Sequence, residues 1–204
     1  MKTQWLFFDI GSTLIDETKA YEHRILDAIE GTDITFEQLN EKRKFFAKQN
    51  LRGDLEAIEY FGLKRTPWHS EDEYPYPDAE KVLAYLHAKG YKLGVIANQP
   101  TGTEDRLRSW DLLKYFSTVA ASSELSISKP DKAIFLKALE MSNCTTENAT
   151  MIGDRLDNDI YPAIELGMKT IWIKQGIAAY QQLDPTKAAP DQIINSLSEL
   201  TTIL

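Results

Sequence analysis

The chain has 204 residues, of which 43% are hydrophobic and 26% are charged, and its formal net charge is −8. This length suits one well-buried domain, or one domain with an insertion, and is short for two independent domains. The acidic balance argues against a broad nucleic-acid surface, because phosphate backbones are bound by clustered Lys and Arg.

The cysteine content and the hydropathy of the sequence indicate in which cellular compartment the protein resides. Cys144 is the single cysteine in the sequence, so no internal disulfide can form and a reducing compartment fits. No apolar run approaches about 18 residues, the length that a membrane-spanning helix needs. No charged-then-apolar targeting segment precedes the first predicted strand. We therefore expect a cytoplasmic protein with no membrane span and no nucleic-acid partner.

The first predicted element is a strand. Residues 5–8 form an apolar run that is typical of a parallel strand buried on both faces. Asp9 stands where this strand ends, and the small residues 11–13 follow. Ligands of open α/β sheets bind beyond the carboxyl ends of the strands, so Asp9 is a candidate site residue. The alternative is an Asx turn that only closes the strand.

Helical spacing after Asp16 predicts a small all-helical insertion. The capping-box pattern of Thr35 and Gln38 predicts that one of its helices starts at Phe36. Three helices are predicted here, one that ends at Gly31 and two over residues 36–49 and 55–61. A linker rich in proline, aromatic and acidic residues is predicted over residues 64–77.

From residue 78 onward, helical and strand patterns alternate. Strands separated by helices of about 10–15 residues are typical of βαβ units and a mainly parallel sheet. A second capping box, Thr101 with Glu104, predicts the start of a helix that runs toward Trp110. The predicted strands are residues 92–97, 118–121, 150–152, 169–174 and 193–194, and further helices are predicted over about 79–89, 132–141, 158–166 and from 196.

Four charged residues lie just past predicted strands or in loops that lead to helices. They are Asp9, Lys129, Asp154 and Asp159. Parallel topology brings such loops to one edge of the sheet, where the carboxylates would repel one another unless a cation holds them. All-oxygen ligand sets suit Mg²⁺, and Lys129 adds a positive charge for an anionic substrate. Phosphoryl transfer through a carboxylate nucleophile requires this set of groups.

The sequence resembles the haloacid dehalogenase-like hydrolase superfamily over its whole length. Four segments are similar to the family's motifs, in order: Asp-Ile-Gly-Ser-Thr at 9–13, Val-Ile-Ala-Asn at 95–98, Lys-Pro-Asp at 129–131, and Gly-Asp-Arg-Leu-Asp-Asn-Asp at 153–159. The resemblance implies an α/β fold with a Rossmann-like three-layer parallel-sheet core, residues 1–16 and 73–204, and a small all-helical cap, residues 17–72. It also implies an Mg²⁺-dependent phosphatase that acts on a small phosphorylated metabolite, as a monomer or homodimer.

The resemblance implies a role for each acidic motif residue. Asp9 would attack phosphorus and form an aspartyl-phosphate. Asp154 would bind Mg²⁺ together with Asp9 and the backbone carbonyl of Gly11. Asp159 would belong to the metal shell or orient Lys129, although an acid also suits the first turn of a helix.

The remaining motif residues are implied to handle the phosphoryl group. Lys129 would pair with Asp9 and with the phosphoryl oxygens. Thr13 would shape the turn after the nucleophile and contribute to phosphate binding. Asn98 is a second candidate for phosphate binding, or it only caps the turn that follows its strand.

Two positions depart from the family pattern. Gly11 stands where most phosphatases of the family carry a second aspartate, the general acid/base, whose loss typically costs about 10²–10⁴-fold in rate. Ala97 stands where Thr or Ser usually donates to the phosphoryl group, and one lost donor costs about 10²–10³-fold. Alkyl phosphates should therefore be poor substrates unless a cap residue such as Glu22 or His23 replaces the missing acid.

Three hypotheses remain open at this point. The first is a phosphohydrolase, and the second is attack of Asp9 on carbon, as in the dehalogenases of the family. The third is a catalytically weak regulatory protein that binds metal and phosphate. The retained acids argue against the second, because attack on carbon needs no Mg²⁺. Candidates for substrate recognition by the cap are Tyr21, Arg24, Arg43 and Phe46, although a solvated or core position is the commoner fate of such residues.

Overall fold

The computed structural model of the chain describes residues 4–204. Its strands are β1 (Trp5–Phe8), β2 (Ile15–Asp16), β3 (Tyr74–Pro75), β4 (Lys92–Ala97), β5 (Phe116–Ala121), β6 (Ala149–Gly153), β7 (Lys169–Ile173) and β8 (Gln192–Ile194). Within the described residues, the main sheet has six strands in the order β5-β4-β1-β6-β7-β8, and all neighbouring strands in it are parallel. The order reverses at β1, so a crevice opens at its carboxyl end.

Helices cover both faces of this sheet. The helices are α1 (Thr18–Ile29), α2 (Phe36–Ala47), α3 (Gly53–Tyr60), α4 (Ala79–Ala88), α5 (Thr103–Ser109), α6 (Ser122–Leu125), α7 (Lys132–Met141), α8 (Tyr161–Glu165) and α9 (Leu200–Ile203). Strand side chains alternate between faces, so Phe8 belongs to the apolar cluster that includes Leu83 of α4. Phe7 belongs to the opposite cluster, with Phe135 of α7. The predicted three-layer α/β core is confirmed.

The insertion between β2 and β3 consists of α1, α2 and α3. These helices share an apolar cluster of their own, which includes Ile25, Leu39 and Ile58. The predicted capping box at the start of α2 is formed by Thr35 and Gln38. Within residues 4–204, every helix is too short or too polar to cross a lipid bilayer.

The chain crosses between core and insertion twice, and the two crossings pair with each other. β2 and β3 form an antiparallel ribbon in which Ile15 is opposite Pro75 and Asp16 is opposite Tyr74. We call this two-stranded sheet the hinge ribbon. Residues 64–77 are therefore not a simple linker, because their last part is paired. Strands of two residues show no periodicity that a sequence pattern can reveal.

Two predicted helix starts are wrong in detail. Thr101 does not cap α5, which starts at Thr103 after Gly102 in a left-handed conformation. The free amides of Gly102 and Thr103 donate instead to Glu124 Oε1, at 3.0 and 3.4 Å. The helix expected from residue 158 begins two residues earlier, as a π-helical turn over Leu156–Ile160 that continues into α8.

Candidate active site

Three acidic residues meet at the carboxyl edge of the sheet, where the strand order reverses. Asp9 follows β1, Asp154 follows β6, and Asp159 lies in the π-helical turn after β6. One carboxylate oxygen from each residue lies within 4.8 Å of the other two, and all three residues are buried. The predicted convergence is present, and we call Asp9, Asp154 and Asp159 the acid cluster.

Local backbone geometry holds the acid cluster together. The Asp9 amide donates to the carbonyl oxygen of Ile152 at 2.9 Å, which extends the pairing of β1 with β6 past the end of the strands. Gly153 leaves room for Asp159, because a Cβ at position 153 would lie 2.6 Å from the Asp159 carboxyl group. Any side chain at position 153 would therefore displace Asp159 from the site.

Lys129 lies between two members of the acid cluster. Its Nζ is 2.6 Å from Asp9 Oδ1 and 2.6 Å from Asp159 Oδ1, and its side chain is 1% exposed. Burial acts to lower the pKa of Lys129, but attraction to Asp159 and Asp9 outweighs burial and raises it. The ammonium group is thus held charged. When all three acids of the cluster are ionised, their charge exceeds that of the ammonium group by two.

The residues present fit a divalent cation. Asp154 Oδ1 is buried and has no hydrogen-bond partner among the described residues, which is costly for a carboxylate oxygen. Burial, together with Asp159 and Asp9, raises the pKa of Asp154 well above its usual range. A hard cation such as Mg²⁺ would satisfy this oxygen and offset the excess negative charge. Asp9 and Asp154 are therefore its candidate ligands, and the backbone carbonyl of Gly11 stays a predicted one.

Asp159 is more fully occupied than the other two acids. Its Oδ1 accepts from Lys129, and its Oδ2 accepts from the Arg155 amide at 3.0 Å. Burial raises the pKa of Asp159 to about 6, although the nearby Lys129 charge lowers it. These contacts favour the second of its two predicted roles, the orientation of Lys129.

Asn98 follows β4 and lines the cavity, and both ends of its side-chain amide contact the backbone of Lys129. Asn98 Nδ2 donates to the Lys129 carbonyl at 2.9 Å, and Asn98 Oδ1 accepts from the Lys129 amide at 2.8 Å. The side chain thus clamps the backbone of the residue whose ammonium pairs with Asp9. No sequence pattern indicates a contact between positions so far apart.

Of the two roles predicted for Thr13, in the turn after Asp9 and in phosphate binding, the contacts support the first. Thr13 is fully buried, its Oγ1 has no hydrogen-bond partner among the described residues, and it lies outside the cavity lining. Its amide donates to the Ile10 carbonyl at 3.2 Å, which fits a role in the turn. Ser12 lines the cavity instead. Phosphate binding by Thr13 therefore has no support in the contacts.

Glu17 is a cavity residue that the sequence analysis missed. It precedes α1 and faces the same cavity as Asp9 and Asp154. Its Oε2 accepts a hydrogen bond from Ser12 Oγ at 2.9 Å. Burial raises the pKa of Glu17 to about 8, although the Ser12 hydrogen bond lowers it, and the Asp9 charge raises it further. No motif marks this position, which in sequence is only the first residue of the insertion.

The two residues predicted as substitutes for the missing acid do not reach the cavity. Glu22 is exposed and lines a neighbouring depression. His23 is on the outer side of α1, where its Nδ1 is 2.9 Å from Asp72 Oδ2. Neither residue is among those that line the cavity.

The cavity has a volume of about 300 Å³ and lies between core and insertion. Tyr21 and Arg24, two of the four cap candidates, line it rather than lying in the solvated or core positions that are commoner for such residues, and Arg24 Nη1 pairs with Asp54 Oδ2 at 3.1 Å. Arg43 lies behind Tyr21, with its guanidinium 5.0 Å from the ring centroid. Phe46 packs against the apolar cluster of the insertion, so it is a core residue.

A second contact joins the insertion to the loop that follows β7. Asn50 Nδ2 donates to the Gln182 carbonyl at 2.9 Å, and the Gln182 amide donates to Asn50 Oδ1 at 3.0 Å. We call this pair of hydrogen bonds the clasp. Lys44 of α2 also lies over the Tyr180 ring of the same loop, with Nζ 5.7 Å from the ring centroid. The insertion is therefore attached at the hinge ribbon and along this loop.

Comparison with known proteins agrees with the fold. The chain belongs to the haloacid dehalogenase-like hydrolase family, whose model matches residues 6–173. It is 31% identical to a glyceraldehyde 3-phosphate phosphatase of Pyrococcus furiosus, over 98% of this chain and 92% of that protein. It is 26% identical to a pyrimidine 5'-nucleotidase of Escherichia coli, over 100% of this chain and 99% of that protein. The crystal structure of a phosphatase of the same family from Thermococcus onnurineus matches with a TM-score of 0.64 at 24% identity, and the match covers 98% of this chain and 97% of that one.

Proposed function

We propose that the chain is an Mg²⁺-dependent phosphatase of small phosphomonoesters, with Asp9 as the nucleophile. The observation that carries this proposal is the placement of Lys129 Nζ, which bridges Asp9 and Asp159 at 2.6 Å each. A buried ammonium group beside Asp9 orients that carboxylate through a charge-assisted hydrogen bond. The phosphatase name of the similar protein from Pyrococcus furiosus supports the same reaction.

The described residues divide the work of phosphoryl transfer. Asp9 attacks phosphorus through one carboxylate oxygen, and the leaving oxygen departs on the opposite side. Lys129 offsets the negative charge that gathers on the phosphoryl oxygens, while Asp159 and Asn98 hold Lys129 in place. Mg²⁺, when bound by Asp9 and Asp154, supplies further positive charge for the phosphoryl group.

The cavity favours a substrate with a small tail. Its volume is about 300 Å³, and its cap side presents Arg24, which is paired with Asp54, and Arg52. Arg52 has no ion-pair partner among the described residues. We infer that a phosphoester of a few carbons, of the glyceraldehyde 3-phosphate class, fits better than a bulky one. A cytoplasmic location agrees with this substrate class and with the free thiol of Cys144.

Phosphate release from a panel of phosphoesters tests the reaction. The panel contains glyceraldehyde 3-phosphate, glycerol 3-phosphate, hexose phosphates, a pyrimidine 5'-monophosphate and p-nitrophenyl phosphate, each with Mg²⁺ and with EDTA. We expect release that requires Mg²⁺, with the highest kcat/KM on a triose phosphate. Turnover that is equal in EDTA, or halide release from 2-haloacids without phosphate release, would contradict the proposal.

Thermal unfolding of Asp154→Asn tests the metal part separately. Mg²⁺ should raise the Tm of the natural protein, because it binds only the folded state. The variant lacks one carboxylate ligand and should lose most of that rise. Asp105→Asn, a change of an exposed aspartate on α5, is the matched control and should respond to Mg²⁺ as the natural protein does. An undiminished response of Asp154→Asn would place the metal elsewhere.

A further inference from the structure

The proposed reaction needs a proton donor that the acid cluster does not provide. When the bond from phosphorus to an alkyl oxygen breaks, the leaving alkoxide needs a proton. Asp9 acts as the nucleophile, Lys129 is held between two carboxylates, and Asp154 is a candidate ligand of the cation. Position 11, which lies two residues after the nucleophile, has no side chain. The donor must come from elsewhere on the cavity wall.

Glu17 fills the space that a side chain at position 11 would occupy. A Cβ built on Gly11 would lie 2.5 Å from Glu17 Oε1 and 3.0 Å from Glu17 Oε2. Gly11 and Glu17 line the same cavity as Asp9. A carboxyl group is therefore present beside the backbone at position 11, although position 17 carries it.

Ser12 fixes this carboxyl group at the cavity wall. Ser12 Oγ donates to Glu17 Oε2 at 2.9 Å, and no hydrogen bond to Oε1 is found among the described residues. Oε1 is also the oxygen nearest to the position of the absent Cβ. One oxygen is thus held by the protein, while the other is available to a bound molecule.

The other polar groups of the cavity are poorer donors. Arg24 and Arg52 carry guanidinium groups, which do not release protons in proteins. Asp54 is engaged by Arg24. The Tyr21 hydroxyl, which also lines the cavity, is the remaining alternative.

We propose that Glu17 is the general acid and base of this enzyme, an assignment that rests on the proposed phosphatase function. In the first half-reaction, Asp9 bonds to phosphorus, the phosphorus–oxygen ester bond breaks, and the Glu17 proton passes to the leaving oxygen, which gives the alcohol. In the second, the Glu17 carboxylate takes a proton from water as the water oxygen bonds to phosphorus. The bond from phosphorus to Asp9 then breaks and inorganic phosphate leaves. One water is consumed, and both carboxyl groups return to their starting states.

The dependence on the leaving group tests this role with Glu17→Gln. On glycerol 3-phosphate, whose alkoxide needs a proton, kcat should fall by about 10²–10⁴-fold. On p-nitrophenyl phosphate the first step needs no proton. The variant should therefore release p-nitrophenol in a rapid burst equal to the enzyme concentration and then turn over slowly, because the second step lacks its base. Glu30→Gln, the same charge change at the other end of α1, should behave as the natural protein.

Three outcomes would overturn the assignment. Glu17→Gln that keeps the natural rate on glycerol 3-phosphate would show that the carboxyl is not needed. If a folded Glu17→Gln variant lost both the p-nitrophenol burst and the turnover of alkyl phosphates, the role of Glu17 would be structural. A selective loss of alkyl turnover in Tyr21→Phe, with none in Glu17→Gln, would assign the proton to Tyr21. If the natural protein releases no phosphate from any compound, the proposed function itself is wrong.

Moving the carboxyl group to position 11 gives a second test. Gly11 does not have a left-handed backbone, so the obstacle to a side chain there is the Glu17 carboxyl group. Gly11→Asp alone should therefore lower activity and Tm, and Glu17→Ala alone should lose alkyl turnover. The double variant, Gly11→Asp with Glu17→Ala, should regain at least ~10-fold over Glu17→Ala on glycerol 3-phosphate. A folded double variant that still shows the Mg²⁺-induced rise in Tm, yet gains nothing, would contradict the proposal.

Discussion

At the scale of single residues, Lys129 has the most demanding environment in the molecule. It is 1% exposed, and within residues 4–204 its ion-pair partners are the carboxylates of Asp9 and Asp159. Removing one side of a buried ion pair costs more than the pair contributes, because the remaining charges are left without compensation. Function and stability therefore depend on the same side chain.

Replacing Lys129 by Met should expose this dependence. We expect Lys129→Met to lower the free energy of unfolding by about 3–5 kcal/mol at pH 7 without Mg²⁺, and to abolish phosphate release. Lys132→Met removes an exposed lysine paired with Glu165, and exposed pairs contribute about 0–1 kcal/mol. Urea unfolding monitored by circular dichroism compares the two. Equal losses in both variants would contradict the account of the buried pair.

At the scale of elements, the insertion is attached at the hinge ribbon and at the clasp. The ribbon is anchored further by Glu73, a buried residue that accepts from Trp68 Nε1 at 2.6 Å and pairs with Arg106 of α5. The clasp depends on the side chain of Asn50, which has a φ of 60°. Opening of a lid over a cavity requires one attachment to give way, and the clasp consists of two hydrogen bonds between Asn50 and Gln182.

Asn50→Gly should release the clasp without straining the backbone, since Gly adopts a positive φ readily. We expect faster hydrogen exchange in α2 and α3, together with a higher KM, because the cavity is covered for a smaller fraction of the time. Gln182 contributes only backbone atoms to the clasp, so Gln182→Ala is the matched control. Unchanged exchange and KM in Asn50→Gly would show that the clasp does not hold the insertion closed.

His69 gives one edge of the insertion a pH dependence. Its Nε2 lies 2.7 Å from Asp27 Oδ2 and its Nδ1 lies 3.1 Å from Glu71 Oε1, and these hydrogen bonds raise the pKa of His69. His23, which pairs with Asp72, stacks on the His69 ring with centroids 3.5 Å apart. Because the pKa of His69 is higher in the folded than in the unfolded protein, the fold is fully stabilised at pH values below the unfolded-state pKa of about 6.5. This stabilisation is lost as pH rises through the folded-state pKa.

The sign of this effect leads to a prediction for His69→Gln. The variant should unfold at a lower temperature than the natural protein at pH 6, and the difference should shrink as pH rises to 9. Thermal unfolding of both proteins between pH 6 and pH 9 measures this difference in Tm. His87→Gln, a change at a histidine that faces Tyr115 rather than acids, is the control for the loss of an imidazole ring. A difference for His69→Gln that grows with pH would contradict the account.

At the scale of the whole molecule, the features that could be predicted from the sequence are the strands of the parallel sheet and the site residues at their ends. A strand buried on both faces is a continuous apolar run, so the ends of β1 and β6 could be read directly, and Asp9 and Asp154 with them. Lys129 followed from its motif. The parallel order of the strands then brought these residues to one edge.

The parts that were missed depend on contacts that have no local pattern. Glu17 meets Gly11 only because the turn after β1 folds back on itself before α1 starts. Asn98 reaches Lys129 from a different strand end. The false capping box at Thr101 failed because α6 supplies its own acid to the start of α5. A motif can indicate which residue types a site contains, but not which distant side chain fills a gap in it.

The most direct test of the central claim is to trap the phosphoryl group on the protein. The enzyme is mixed with Mg²⁺ and p-nitrophenyl phosphate, quenched in acid within milliseconds, and digested for mass spectrometry. We predict a phosphoryl group on Asp9 that forms and decays at the rate of turnover and that is absent from Asp9→Asn. Turnover without any phosphorylated Asp9, or phosphate carried by another residue, would contradict the account.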